Sequence, residues 1–250
     1  MSYWSAITVL NQVSGELGLP KPNTVTGNLD TQSSQLLALL NSAGNELLLY
    51  YPWEQFAQEW VLVTVIDQAD YELPDDYKYF RDQTQWDRTN HWPLLGPQSA
   101  QQWAWLKGSL VAPLPRLRYR IQDNLFKIFP TPNTSFSPGA NFTLAMEYIQ
   151  KNWVITDNGG VPLETDMIQQ DGDILRYDPW LLVKFVKFKF YEFKGFNTTG
   201  VNADFMRVFN NLTGKDTGAR ILNLSPRSQD AGVGYIGPWS IPDGSWNVGT

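Results

Sequence analysis

The period of the hydrophobic residues changes twice along this chain, and each change limits what a segment can become. Ile7, Leu10, Val13 and Leu17 recur at helical spacing, and so do Leu36, Leu37, Leu40, Ala43, Leu47 and Leu48. From Trp60 the pattern is alternation: Trp60, Leu62, Thr64 and Ile66 are interleaved with Val61, Val63 and Val65, which suits a pleated strand. After Asp178 and Pro179 the spacing turns helical again. Helical, then alternating, then helical reads as an α+β chain with its strands grouped in the middle.

Local signals bound the elements. The first helix covers Ser5 to Leu17, stopped by Gly18 and by Pro20 and Pro22. Asp30 and Thr31 offer an N-cap for a second, long helix, which reaches Ala57 or beyond if Pro52 only kinks it. Trp60 to Ile66 and Tyr71 to Leu73 read as a hairpin across Asp67 to Asp70. A short helix bearing Trp103 and Trp105 is expected over Pro97 to Gly108, then strands Leu117 to Gln122 and Leu125 to Phe129 about a tight Asp123-Asn124 turn. Phe142 to Ile155 makes one long strand or a strand pair. Trp180 to Phe193 alternates in part, at Lys187 to Phe190, but a helical wheel gathers Lys184, Lys187, Tyr191 and Lys194 on one face. Helix is the better fit, with Lys189 as its misfit. Asn202 to Leu212 follows, carrying Phe205, Val208, Phe209 and Leu212 on one face and ended by Gly214. The expected parts are an N-terminal helical part at 1–58, a β-rich region at 59–176, C-terminal helices at 177–213 and an arm at 214–250.

Beyond Gly214 the sequence is rich in Gly, Pro and Ser yet keeps Tyr235, Trp239 and Trp246. Two readings stand: anchors for a partner surface, or an arm folded back on its own domain. Arg116, Arg118 and Arg120 alternate with Leu117, Tyr119 and Ile121, so three guanidinium groups share a strand face. They suit DNA phosphates, a neighbour's carboxylates, or a solvated and ion-paired face; the net charge of −6 favours the last. The same acidity opposes a protein that grips nucleic acid electrostatically.

Chemistry finds little to work with. There is no cysteine and one histidine, His91, which removes thiolate nucleophiles, multi-histidine metal sites and disulfides, and leaves a Ser-His-Asp arrangement resting on one ring set among Trp92 and Pro93. Neither Gly195 to Gly200 nor Gly232 to Gly237 has the pattern of a phosphate-cradling loop. No cofactor, no metal and no catalysis are expected. A glycan-handling reading rests on Trp86, Trp92, Trp103 and Trp105 as a stacking surface with Asp75, Asp76, Asp82 and Asp87 as carboxylates. Aspartates in loops ordinarily cap turns, however, and tryptophans at this density ordinarily fill cores. Met1 to Leu19 lacks the charged start of a signal peptide and no apolar run approaches about 20 residues, so no membrane partner is expected.

Tyr71-Glu72-Leu73-Pro74-Asp75-Asp76-Tyr77, then Trp86-Asp87-Arg88-Thr89, Pro93-Leu94-Leu95-Gly96-Pro97 and Gln102-Trp103-Ala104-Trp105-Leu106, form a string that resembles the head-to-tail adaptor proteins of tailed phages, including the tail tubular protein A group. The short helix ending Leu17-Gly18-Leu19 and the long helix from Asp30 fit as well, so the resemblance covers about the first half of the chain. It implies a helical bundle with an inserted antiparallel β-rich region and a C-terminal arm. It also implies a structural virion protein of the neck, assembled as a ring, usually of twelve copies, between the portal and the tail tube or nozzle. Passing DNA would be contacted weakly. On that reading Tyr235, Trp239 and Trp246 engage the portal, while Arg116, Arg118, Arg120, Lys184, Lys187 and Lys194 are candidates for subunit interfaces or the channel. A carbohydrate-binding tail or receptor-recognition protein is the alternative.

Overall fold

A computed structural model describes residues 3–27, 30–108, 116–133 and 141–216. These divide into two compact units: one takes the described residues of 1–57 and 149–216, the other those of 58–148. Among the described residues the fold is α+β, with five α-helices and eleven strands, all of the multi-residue ladders antiparallel where their register is defined.

The first unit is built on α4, Pro179–Lys194, which packs against α1 (Ala6–Leu17), α2 (Thr31–Tyr50) and α5 (Thr199–Asp216). Asp178 starts α4 by accepting from the amides of Trp180 and Leu181 at 3.0 and 3.2 Å, and Pro179 fixes the first helical φ. Gly18 and Gly195 end α1 and α4 in the left-handed region, at φ 70° and 71°. Val9, Leu10 and Val13 of α1, Leu36, Leu40 and Leu47 of α2, and Leu182, Phe185 and Val186 of α4 are fully or almost fully buried. Phe185 stacks on Phe205 of α5, with centroids 4.5 Å apart. The same unit holds a small sheet of β9 (Val154–Asn158) between β10 (Val161–Thr165) and β11 (Ile174–Leu175).

Two sheets face each other in the second unit. One has β8 (Thr143–Gln150) paired with β1 (Ala57–Val63) on one side and with β4 (Trp86–Asp87) and β3 (Tyr77–Phe80) as further partners, β5 (Trp92–Pro93) following β4. The other runs β2 (Asp70–Glu72), β7 (Leu125–Phe129), β6 (Arg118–Gln122). Alternation sends Trp60 and Leu62 of β1, Leu144 and Met146 of β8, Tyr71 of β2, Tyr119 of β6 and Phe126 and Ile128 of β7 into the common core. Helix α3, Ala100–Gly108, seats Trp103 against Phe129 at 6.2 Å.

Several residues of the string quoted above hold this unit together. Tyr71 accepts from the Val65 amide at 2.9 Å and donates to the Gln68 carbonyl at 3.0 Å, tying down the loop before β2. Asp76 accepts from the Tyr148 hydroxyl at 2.9 Å. A side chain at Gly96 would lie 2.6 Å from the Tyr119 carbonyl, so only glycine lets 95–98 run against β6.

Four expectations need correction. Helix α2 stops at Tyr50 and does not reach Ala57, because a residue before proline is driven to extended backbone and Tyr51 is at φ −156°, ψ 138°. The strands at 60–66 and 71–73 are not a hairpin: β1 pairs with β8, the Thr64 amide donating to the Phe142 carbonyl, while β2 pairs with β7. The span Phe142 to Ile155 holds two strands, as one of its two readings had it, though β8 and β9 lie in different sheets. Gly214 does not end the last helix, which runs from Thr199 to Asp216; unlike Gly18 and Gly195 it is not in the left-handed region. Arg116 is not in the strand with Arg118 and Arg120, since β6 begins at Arg118. Residues 149–176 group with the helices.

Candidate interaction surfaces

The lysine face of α4 is engaged within the chain. Lys184 and Lys187 both reach Glu16 of α1, at 2.9 and 3.1 Å. Burial raises the Glu16 carboxyl, but the hydrogen bonds and charges of the two lysines outweigh it and hold the group below its ordinary value. Lys189, the misfit of the helical wheel, lies 2.5 Å from Glu46 of α2 and 5.2 Å above the Phe185 ring. Lys194 sits over Phe190 and Phe193 at 5.5 and 5.6 Å. Three of these four ammonium groups therefore clamp α4 to its neighbours.

The arginines divide. Arg116 is buried with its guanidinium 5.7 Å above the Trp92 ring. Arg118 and Arg120 flank buried Tyr119 and so share the outward face of β6. In register across that face stand Arg120, Lys127 and Asp70, one from each strand, with Lys127 3.8 Å from Asp70. Lys127 extends the basic surface and was not singled out in the sequence, where its separation from the arginine run hides it; Lys107 of α3 lies over the Trp103 ring at 5.6 Å. The cross-strand register is the signal that would have found Lys127.

A cleft of about 440 Å³ opens beside β8, lined by Glu59, Gln83, Trp86, Arg88, His91 and Glu147 among others. Its carboxylates are committed: Glu59 pairs with Arg88, and Glu147 with Arg81 at 3.1 Å. Asp87 is buried and accepts from the Thr89 and Asn90 amides and the Asn90 side chain, at 2.9, 3.1 and 2.7 Å, which is turn capping. Asp75 and Asp82 are exposed. The four tryptophans do not form one platform. Trp86 is opposite Pro93 and Trp92 opposite Asp87, so the two rings point to different faces of their strand pair; Trp103 is buried and Trp105 exposed. Burial raises the phenols of Tyr77 and Tyr119, the latter far above its usual range, as befits core residues. Among the described residues no group of acids or histidine could hold a metal ion, and no helix is long and apolar enough to cross a membrane.

Tyr235, Trp239 and Trp246 lie outside the described residues.

On these surfaces charged side chains join the chain's own elements or face outward. A family model, that of the SU10 adaptor protein, matches residues 5–223, and the chain belongs to that family. It is thus a phage adaptor, a structural component of the virion, as the resemblance in its first half implied. Nothing among curated proteins matches it.

Proposed function

We propose that the chain is a head-to-tail adaptor, copies of which form a ring, twelve in number, that joins the portal to the tail tube or nozzle and lines the DNA channel. The observation that carries the reading is the match over residues 5–223, which takes in both units and all the described elements from α1 to α5. The helical residues on either side of a β-rich unit agree with the bundle and insert of the head-to-tail adaptors, and the likeness of the Tyr71 to Tyr77 string to the tail tubular protein A group supports a role beneath the portal. A net charge of −6 suits a channel that lets DNA pass without holding it. The C-terminal segment, with Tyr235, Trp239 and Trp246, is the part that engages the portal. The adaptor is assembled in the host cytoplasm and resides in the neck of the virion.

Electron microscopy of the purified protein mixed with the portal protein encoded with it tests the proposal. A second ring stacked on the portal, with its copies countable, is the expected result. An intact portal with no added density, in the presence of folded protein, would overturn it.

A further inference from the structure

The outward face of the β2-β7-β6 sheet carries opposite charge at its two sides. On the β6 side stand Arg118 and Arg120; α3, which carries Lys107 and the 58% exposed Trp105, meets the sheet through Trp103 at Phe129, the residue in register with Arg118. On the β2 side stand Glu72 and, in the adjoining loops, Asp67 and Asp75, with Val65 and Ile66 exposed beside them at 53% and 41%. Within the chain the register neutralises only the middle of this face, where Lys127 meets Asp70. Arg118, Arg120, Glu72, Asp67 and Asp75 have no ion-pair partner among the described residues. Each side thus combines an apolar element with unneutralised charge of one sign, and the two signs differ.

We infer that these two sides are the two halves of one interface, repeated between copies of this chain: the Trp105, Arg118, Arg120 side of one copy docks on the Val65, Ile66, Glu72 side of the next. The inference rests on the ring proposed above and names the surface that closes it. A ring needs a heterologous contact, in which two different patches of the same molecule complement each other. Opposite charges on the two sides supply that complementarity and fix orientation, since like sides repel. The exposed tryptophan and aliphatic side chains supply the apolar centre that such contacts bury. Strand addition is not the mode on the β6 side. There the backbone is already met by 95–98, with the Tyr119 amide donating to the Leu95 carbonyl at 3.1 Å and the Gln98 amide to the Tyr119 carbonyl at 2.9 Å, so the contact is made by side chains.

Complementary charge reversal tests the inference on the portal complex. One variant carries Arg118→Glu and Arg120→Glu, the other Glu72→Lys and Asp75→Lys; Glu72 and Asp75 are exposed and Arg118 and Arg120 half-buried, and unchanged thermal midpoints establish folding. Each variant alone is expected to lose ring formation on the portal, with at least a tenfold rise in the concentration needed, and an equal mixture of the two is expected to restore it, because every contact then joins an acidic side to a basic one. Rings formed normally by either variant alone would overturn the inference while leaving the adaptor reading intact, as would mixtures that fail where wild type succeeds. Loss of duplex-DNA retention in the arginine variant, with ring formation unchanged, would assign the basic side to DNA and overturn it too. Failure of the wild type to form a ring would bring down the adaptor reading itself, and this interface with it.

Discussion

At the scale of single residues, close approach and charge pairing decide most of what can change. Gly44, in the middle of α2, lies under the Trp153 ring; a Cβ there would fall 2.4 Å from its carbons. Trp153 is fully buried and held by its own hydrogen bond to the Asp166 carbonyl at 2.8 Å, and Tyr177 bonds the Gly44 carbonyl at 3.0 Å, so neither neighbour can yield easily. Gly44→Ala therefore destabilises the protein by roughly 1–3 kcal/mol, despite the better helix propensity of alanine; chemical denaturation would measure it, and a stabilised variant would contradict the packing. Glu16 is a pH-dependent tie. Its folded-state value is held below the ordinary 4.5, so the tie is fully present above that pH and is lost as pH falls through the folded value. Glu16→Gln should cost less than about 1 kcal/mol near neutral pH, and the gap between the two melting curves should close as the buffer is taken well below pH 4.5. A gap that widens on acidification would contradict the pairing. The sequence displayed Lys184 and Lys187 as one face, but nothing in their spacing names Glu16, which stands at the far end of another helix.

Elements were legible where a single residue type carries the conformation. Asp123 and Asn124, at φ 56° and 59°, make the turn that a two-residue hairpin requires, and Asp178 with Pro179 starts α4 as their chemistry dictates. Partners were not legible, because alternation tells which side chains face inward and is silent about which strand lies alongside: β1 and β2 are close in sequence and belong to different sheets. Glycine punctuation misled at Gly214 for a related reason. A glycine stops a helix by turning left-handed, and Gly214 is instead held in helix by its surroundings, with the Tyr51 hydroxyl 3.4 Å from the Thr213 carbonyl and the Glu54 amide donating to Asp216 at 3.1 Å. Alanine at Gly214, where the space is open, should stabilise α5 by about 0.5–1 kcal/mol, whereas alanine at Gly195 should cost about 1 kcal/mol or more. Thermal unfolding of the two variants should shift in opposite directions; equal shifts would remove the distinction between the glycines.

For the whole molecule, the end of α5 decides where a truncation can be made. Removing everything after Gly214 would also remove Asp216 and its bond to the Glu54 amide. A stop after Asp216 keeps the described fold intact, and on the proposed function it should lower affinity for the portal at least tenfold while leaving the melting temperature unchanged. Undiminished binding in a pull-down or by calorimetry would detach Tyr235, Trp239 and Trp246 from the portal. The candidate surfaces were only partly readable in advance: Arg118 and Arg120 stood out as a run, but the opposite charge that gives them a meaning, at Asp67 to Asp75, becomes a counterpart only once β7 is seen to lie between.

The insertion of residues 58–148 between α2 and α4 also sets an order of events during synthesis. Helices α1 and α2 emerge from the ribosome early, yet the surface that buries Val13, Leu40 and Leu47 belongs largely to α4, which follows the whole β-rich unit. That unit holds the residues of its core within its own span and can collapse as soon as it is made. Helices α1 and α2 must therefore wait, exposed or chaperoned, until α4 has been made.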